Sequence, residues 1–243
     1  MKSLAILFSF ILIGCSSTPK GEYSRSKIDR PYSLPDDVAR SSFGLYAESI
    51  EVTKSDSLTE DEDDDDTYGS YLLSFETGIG EDASWIFPLG LRYTAYNDEK
   101  HTVGLTAYTL IVFNYASLDY WYRINDKVSL RPYYRNTNLN FLIVEDDRKF
   151  FGTEILFQTT QNLALGLDLS KGSFTTKSDF LDDLFDTKNN ETSGDFFRLG
   201  LNGLYSLSEK WDIEWSIYTQ NQEADNDTEI KSGGTEFLFN YFY

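Results

Sequence analysis

Long stretches of this chain alternate apolar and polar residues with a period of two, which confines them to extended backbone with one greasy and one wet face. In the stretch NLALGLDLS, Leu163, Leu165, Leu167 and Leu169 share one side, while Ala164, Gly166, Asp168 and Ser170 share the other. Phe197, Leu199, Leu201, Tyr205 and Leu207 oppose Arg198, Gly200, Asn202 and Ser206, and Trp211, Ile213, Trp215 and Ile217 oppose Asp212, Glu214 and Ser216. No amphipathic helical stripe competes with this pattern. Strands of this kind build antiparallel sheets with one buried and one differently solvated face. The 17 Tyr and 18 Phe in 243 residues suit such strands.

The alternation predicts strands near 41–53, 84–97, 100–113, 115–125, 127–143, 149–160, 161–172, 194–207, 209–222 and 232–243. Most reach the roughly 9–11 residues that cross a bilayer when tilted. Their connections alternate in length. Turns at 97–100, 125–127, 161–162 and 208–210 are tight, whereas 54–83, 144–148, 173–193 and 223–231 are longer and acidic. Short inner turns with long outer loops characterise an up-and-down transmembrane β-barrel. The connection near Asn114 is short on the outer side and departs from the rule. An even strand number brings both termini to the periplasmic side. We therefore expect an all-β antiparallel barrel of about ten strands, or twelve if the strand-like segment 68–80 has a partner. Phe87, Phe113, Phe151 and Phe197 fall at outer strand ends, and Tyr93, Tyr122, Tyr205, Trp211, Tyr241 and Tyr243 at inner ends, as two interfacial girdles do. Alternation is equally compatible with a soluble, lipid-anchored barrel of lipocalin type whose apolar face turns inward. The girdles and the asymmetry of the connections favour the membrane barrel.

The N-terminal MKSLAILFSFILIGCSS has one Lys, an apolar run from Leu4 to Ile13 and then Gly14-Cys15. That run is too short to span a bilayer as a helix and reads as a secretory signal over 1–14. Leu12-Ile13-Gly14-Cys15 resembles the bacterial lipobox. The resemblance implies acylation of Cys15, palmitate included, and handling by the lipoprotein-processing machinery. Ser16 after the Cys implies sorting to the outer membrane. Residues 15–40, polar and carrying Pro19, Pro31 and Pro35, read as a flexible periplasmic tether to a barrel over 41–243. The closing alternation Phe237, Phe239, Tyr241, Tyr243 is similar to the C-terminal signal of bacterial outer-membrane β-barrels. That likeness implies recognition by the barrel-assembly machinery and an address in the outer membrane, with the N-terminus periplasmic.

If the apolar face meets lipid, the lumen receives Arg92, Arg123, Arg131, Arg135 and Arg198 together with Asp119, Glu154, Asp168, Asp212, Glu214 and Glu236. Tyr108, Tyr115, Trp121, Tyr133 and Tyr218 face the same way. Guanidinium and carboxylate groups in a narrow lumen pair bidentately, so the expected lumen is plugged by Arg/acid pairs. The expected role is structural or surface-interacting, with a narrow solute channel of porin type as the alternative. The net charge of −19 argues against a nucleic-acid partner. No catalytic residue is assigned: the single His, His101, sits beside an inner turn, and no nucleophile elbow, phosphate loop or Cys/His metal cluster is present. The acidic run Glu60, Asp61, Glu62, Asp63, Asp64, Asp65 and Asp66 lacks the spacing of a high-affinity calcium loop. It is a candidate for weak Ca²⁺ or Mg²⁺ capture bridging to lipopolysaccharide, or a solvated anionic surface. Phe180, Leu181, Leu184 and Phe185 offer a short apolar turn in the 173–193 loop.

If Cys15 is one of two membrane attachments, Cys15→Ala should change the processing of the precursor. The exported, assembled protein should still resist carbonate or urea extraction, because a single acyl chain binds only marginally and a barrel is held far more firmly. Clean release into the soluble fraction would instead favour the tethered soluble domain.

Overall fold

The computed structural model describes residues 24–54, 64–110, 113–141, 144–178, 191–224 and 228–243. Twelve strands among these residues form one closed, antiparallel, up-and-down barrel. They are β1 (Ala39–Lys54), β2 (Asp64–Gly78), β3 (Ala83–Ile86), β4 (Gly90–Asn97), β5 (His101–Leu110), β6 (Phe113–Asn125), β7 (Val128–Phe141), β8 (Val144–Thr160), β9 (Leu163–Ser178), β10 (Glu191–Ser206), β11 (Trp211–Ala224) and β12 (Thr228–Phe242). Each pairs with its neighbour in sequence, and β12 closes the ring on β1 from Arg40↔Phe242 to Lys54↔Thr228. Closure removes sheet edges, which in hydrocarbon would leave backbone amides and carbonyls without partners.

The count is twelve rather than the favoured ten. Residues 68–78 of the segment 68–80 belong to β2, and its partner is the four-residue β3, too short to show a period. Four residues hold only two inward and two outward positions, and the single expected strand over 84–97 spans the turn at 87–89. Three outer ladders also run further than expected. The acidic segment 144–148, read as a loop, starts β8, with Asp147 opposite Asn138 and Thr175. Likewise β9 continues to Ser178 and β2 begins at Asp64. These strands continue past their apolar stretches because ladder bonding does not require apolar side chains once both neighbours are present.

The faces sort as the alternation demands. Leu45, Leu91, Leu105, Phe151, Leu165, Phe197, Leu201, Tyr205, Trp211 and Phe237 are exposed on the outer surface. Inner-end aromatics cluster around the closing strands, where Trp211 and Tyr241 lie 4.6 Å apart and Tyr241 contacts Tyr243 at 5.5 Å. Tyr243 is buried, its hydroxyl hydrogen-bonded to that of Ser41 at 2.7 Å.

Residues 24–38, expected as part of a free tether, are bound to the barrel instead. They form a 3-10 turn over Lys27–Asp29 and run to β1 through Asp37, whose φ of 66° lies in the left-handed region. Ile28 is buried with Leu156 and Ala164, and Leu34 and Val38 with Phe242. The polar, Pro-bearing composition concealed this because most of the binding is through polar side chains rather than an apolar stripe. Residues 15–23, including Cys15, lie outside the described residues, as do Glu60–Asp63 and Phe180, Leu181, Leu184 and Phe185.

Inside the barrel, small residues make room for large ones. Tyr133 stands directly across from Gly152 in the β7–β8 ladder, and a Cβ at Gly152 would collide with the hydroxyl end of the Tyr133 ring. Gly152→Val should therefore lower the thermal unfolding midpoint, with an overpacking cost of about 1–3 kcal/mol. Gly69→Ala, where the nearest atom is the Tyr46 carbonyl oxygen at 3.7 Å, should leave the midpoint within error. Equal effects would show that the ring does not rest on Gly152.

Candidate functional site

The lumen divides into three levels, each built by different residues. At the mouth beside the turns 98–100 and 207–210, the segment 24–38 lies as a stopper held by side chains projecting from six strands. Arg30 donates to both carboxylate oxygens of Asp212, at 2.5 and 3.1 Å, and to the Ser206 hydroxyl at 2.9 Å. The Lys27 amide donates to the Gln158 side-chain oxygen at 2.9 Å, and Arg123 donates to the Ile28 carbonyl at 2.8 Å while pairing with Asp29 at 3.0 Å. Tyr32 enters deepest. Its hydroxyl donates to Asp119 at 2.7 Å and lies 2.7 Å from the Thr106 hydroxyl, and its ring covers Gly104, where a Cβ would collide with it. Burial, and then the neighbouring Asp119 charge, pushes the Tyr32 hydroxyl up to about 12, so it stays a neutral donor. Ser33 completes the seal with a hydroxyl–hydroxyl contact to Thr94 at 2.8 Å.

Above the stopper the wall carries paired charges around open space. Arg131 donates to Asp119 through Nε at 2.9 Å and Nη2 at 2.7 Å, and pairs with Glu154 at 3.2 Å. Glu154 also accepts from Asn202 at 2.8 Å. Arg92 and Arg40 converge on Glu76 at 3.3 and 2.6 Å, and Ser84 donates to the same carboxylate. Glu214 accepts from Asn240 at 2.8 Å and lies 4.0 Å from Arg40. These pairs line the lumen without filling it. A space of about 1900 Å³ adjoins them, lined by Tyr32, Arg92, Thr106, Asp119, Arg131 and Glu214 and continuing to the turn residues Asn97–Lys100 and the exposed Trp211. Of the expected Arg/acid pairs, Arg131 with Asp119 and Glu154 stands beside this space, in a ring of twelve strands that encloses more room than ten would.

The outer level narrows on the β7–β11 side around an aromatic cluster. Tyr133, Phe150, Phe174, Phe196 and Ala224 are buried together, with Phe150 edge-on to Phe196 at 5.6 Å and to Tyr133 at 6.3 Å. Tyr133 donates to both oxygens of Asp168 at 2.9 Å. Arg135 and Arg198 lie over the rings of Tyr133 and Tyr218 at 4.2 and 3.8 Å, and no carboxylate approaches either within ion-pair distance among the described residues. Tyr218 in turn contacts Tyr46 at 2.7 Å and donates to Glu48 at 2.9 Å. Glu236 sits on β12 opposite Tyr46 and Ser216.

All eleven charges expected to point inward thus sit on the lumenal face or at its mouth, but they are not joined in one ladder. Asp212 and Arg123 bind the stopper rather than each other. The sequence reading missed Arg30, Tyr32, Arg40 and Glu76, because 15–40 reads as tether and 54–83 as loop, and it left out Glu48 although that residue has the inward parity of the expected strand 41–53. One signal was available for Arg40 and Glu76: each lies on the inward parity of an alternating run, with Ser42 and Gly44 or with Ser74 and Leu72. His101 lies at the inner end of β5, its Nδ1 2.6 Å from the Tyr120 hydroxyl and its ring 5.2 Å from that of Tyr122. Asp64–Asp66, the described part of the acidic run, begin β2, where Asp65 stands opposite Glu51.

No family model and no curated protein sequence matches this chain. Its solved structural neighbours are outer-membrane barrels, and the chain has the antiparallel closed-barrel fold of that class, whose members reside in the bacterial outer membrane. The COG4313 outer membrane channel from Pseudomonas putida F1 matches with a TM-score of 0.55 at 10% identity, over 93% of this chain and 100% of that one. The CymD monoaromatic hydrocarbon channel aligns at 8% identity over 86% of this chain and 89% of its own, with a TM-score of 0.46. The attachment invasion locus protein Ail of Yersinia pestis aligns at 11% identity over 86% and 100%, with a TM-score of 0.33. At such identities the likeness concerns the fold alone.

Asp119 is the hinge of the lower lumen, because it joins Arg131 on the wall to Tyr32 on the stopper. Its side chain is about 1% exposed. Asp119→Ala should cost about 3–5 kcal/mol of stability, since Arg131 loses the Oδ1 that accepts from both its Nε and Nη2, and Tyr32 loses the Oδ2 acceptor. Tyr32→Phe removes one neutral-to-charged hydrogen bond and should cost less, about 1.5–3 kcal/mol. Thermal unfolding of purified protein in detergent checks the order, and equal losses would contradict the central place of Asp119.

Proposed function

We propose that this protein is an outer-membrane passage for small solutes, stoppered from the periplasmic side by its own N-terminal segment. The observation that carries the reading is the space of about 1900 Å³ that adjoins the stopper residues Lys27–Tyr32 and the lumenal Arg92, Asp119, Arg131 and Glu214. A barrel with a purely structural role has no need of such a space, and side chains from twelve strands had ample opportunity to fill it. The COG4313 outer membrane channel, the neighbour with a TM-score of 0.55, supports the same direction. On this reading Cys15, acylated, is a second membrane attachment beside the barrel. The acidic run Glu60–Asp66 supplies weak divalent-cation contacts to lipopolysaccharide, and the work of the protein is transfer rather than catalysis.

Undisturbed, the full chain reconstituted in planar bilayers should show little conductance. The pair Arg30→Ala and Tyr32→Ala removes the two deepest hooks, leaving β1–β12 untouched, and should produce discrete channel steps at least tenfold above the parent. A barrel that remains heat-modifiable on gels yet stays electrically silent after this change would count against a passage.

A further inference from the structure

From two arginines that the lumen leaves without counter-ions, and resting on the reading of the lumen as a solute passage, we infer that the outer half of the barrel holds a binding site for the carboxylate group of small organic anions, with Arg135 and Arg198 as its two cationic arms.

One device, used twice, keeps the wall's own acids away from these cations. Tyr133 gives its hydroxyl to both oxygens of Asp168 at 2.9 Å and its ring face to Arg135, whose guanidinium carbon lies 4.2 Å from the ring centre. Tyr218 gives its hydroxyl to Glu48 at 2.9 Å and its ring face to Arg198 at 3.8 Å. Each tyrosine thus engages a carboxylate that a guanidinium could otherwise take, and supports the guanidinium on its face. The lower lumen is built differently. There Arg30, Arg40, Arg92 and Arg131 each reach a carboxylate at 3.3 Å or less. A guanidinium stacked on a ring keeps its N–H edge for another partner, and that edge matches the two oxygens of a carboxylate.

The two arms share one section of the lumen, because Asp168 and Glu236 each lie within the fields of both Arg135 and Arg198. Unused hydrogen-bonding capacity gathers at the same level. Arg198 stands opposite Gln220 on β11 and Gln220 opposite Ser232 on β12, so the three side chains form one inward-facing row across three strands. Gln220 and Ser232 are only 4% and 5% exposed. The Nε of Arg198, the Nε2 of Gln220 and the Oγ of Ser232 have no hydrogen-bond partner among the described residues, and neither has the Nε of Arg135. Buried polar groups are ordinarily satisfied. All four of these can donate, so the partner that suits them is an acceptor.

Charge narrows the choice further. A cation is repelled by the two guanidiniums, and a neutral solute leaves their charge uncompensated. Glu236, on the inward face of β12, comes within ion-pair distance of neither arginine among the described residues, so it opposes a bound anion without replacing it. The acidic outer ends of the strands do not cancel the attraction. Glu191 lies seven residues above Arg198 on β10, roughly 23 Å along the strand and more than a Debye length at physiological salt.

The test measures binding and passage separately in one protein, the full chain carrying Arg30→Ala and Tyr32→Ala, whose stopper has lost its deepest hooks. At low salt in uncharged detergent, it should broaden the resonance of carboxyl-labelled propionate saturably and leave that of propionamide, the neutral molecule of the same shape, unchanged. Adding Arg135→Gln and Arg198→Gln should weaken propionate binding at least tenfold. Adding Glu236→Gln instead should tighten it at least threefold, a gain that misfolding does not produce. Equal binding of propionate and propionamide, no binding of either, or propionate binding indifferent to the two arginine replacements overturns the site. If the arginine variant fails to assemble, judged by heat-modifiable migration, Glu236→Gln decides alone, and unchanged or weaker binding overturns the site. Channel steps report on the passage independently: propionate binding without steps removes the passage and leaves the site, and steps without propionate binding remove the site and leave the passage.

Discussion

Every backbone amide and carbonyl that lies in hydrocarbon must find its partner within the protein, and the rest of this structure follows from that requirement. Antiparallel pairing of each strand with the next satisfies it locally, and pairing β12 with β1 satisfies it globally. The alternation of side chains is then no longer a matter of choice: one parity meets lipid and the other the lumen.

The lumen obeys a second rule of the same kind, that buried charge needs a partner. Asp119, Asp212 and Glu76 are almost fully enclosed, and each is met by a guanidinium. Two of those arginines, Arg30 and Arg40, come from the part of the chain that precedes or opens the first strand. The stopper is thus more than a steric obstacle. It completes the electrostatics of the inner mouth, which is why its withdrawal needs replacement partners, water among them, for Asp212 and Asp119. Arg135 and Arg198 follow a different solution, resting on tyrosine faces, where the ring quadrupole takes part of the charge.

Much of this was legible in the residues. Runs such as Leu163–Ser170 and Trp211–Ile217 establish strand, parity and approximate length, and the tight turns at 97–100, 125–127, 161–162 and 208–210 establish the antiparallel order. The inward set from Arg92 to Glu236 follows from parity alone. What escaped were features too short or too polar to carry a period: four-residue β3, the acidic start of β8, and the docked segment 24–38. A tether and a stopper have the same composition when binding is by hydrogen bonds and ion pairs, because those partners lie some 60 to 180 residues away in sequence, as Ser33 from Thr94 or Arg30 from Asp212.

By itself, then, the amino-acid sequence determined the extended backbone, the two-faced strands, the up-and-down order and the identity of the inward-facing charges, since all of these are local consequences of side-chain period and turn chemistry. Only the tertiary structure decided that twelve strands rather than ten close the ring, that Asp212 and Arg123 hold residues 24–38 instead of each other, and that those residues occupy the inner mouth. Each of these depends on how far the last strand is from the first and on how much room the ring encloses. Such quantities are sums over the whole closed sheet and are written in no single segment of it.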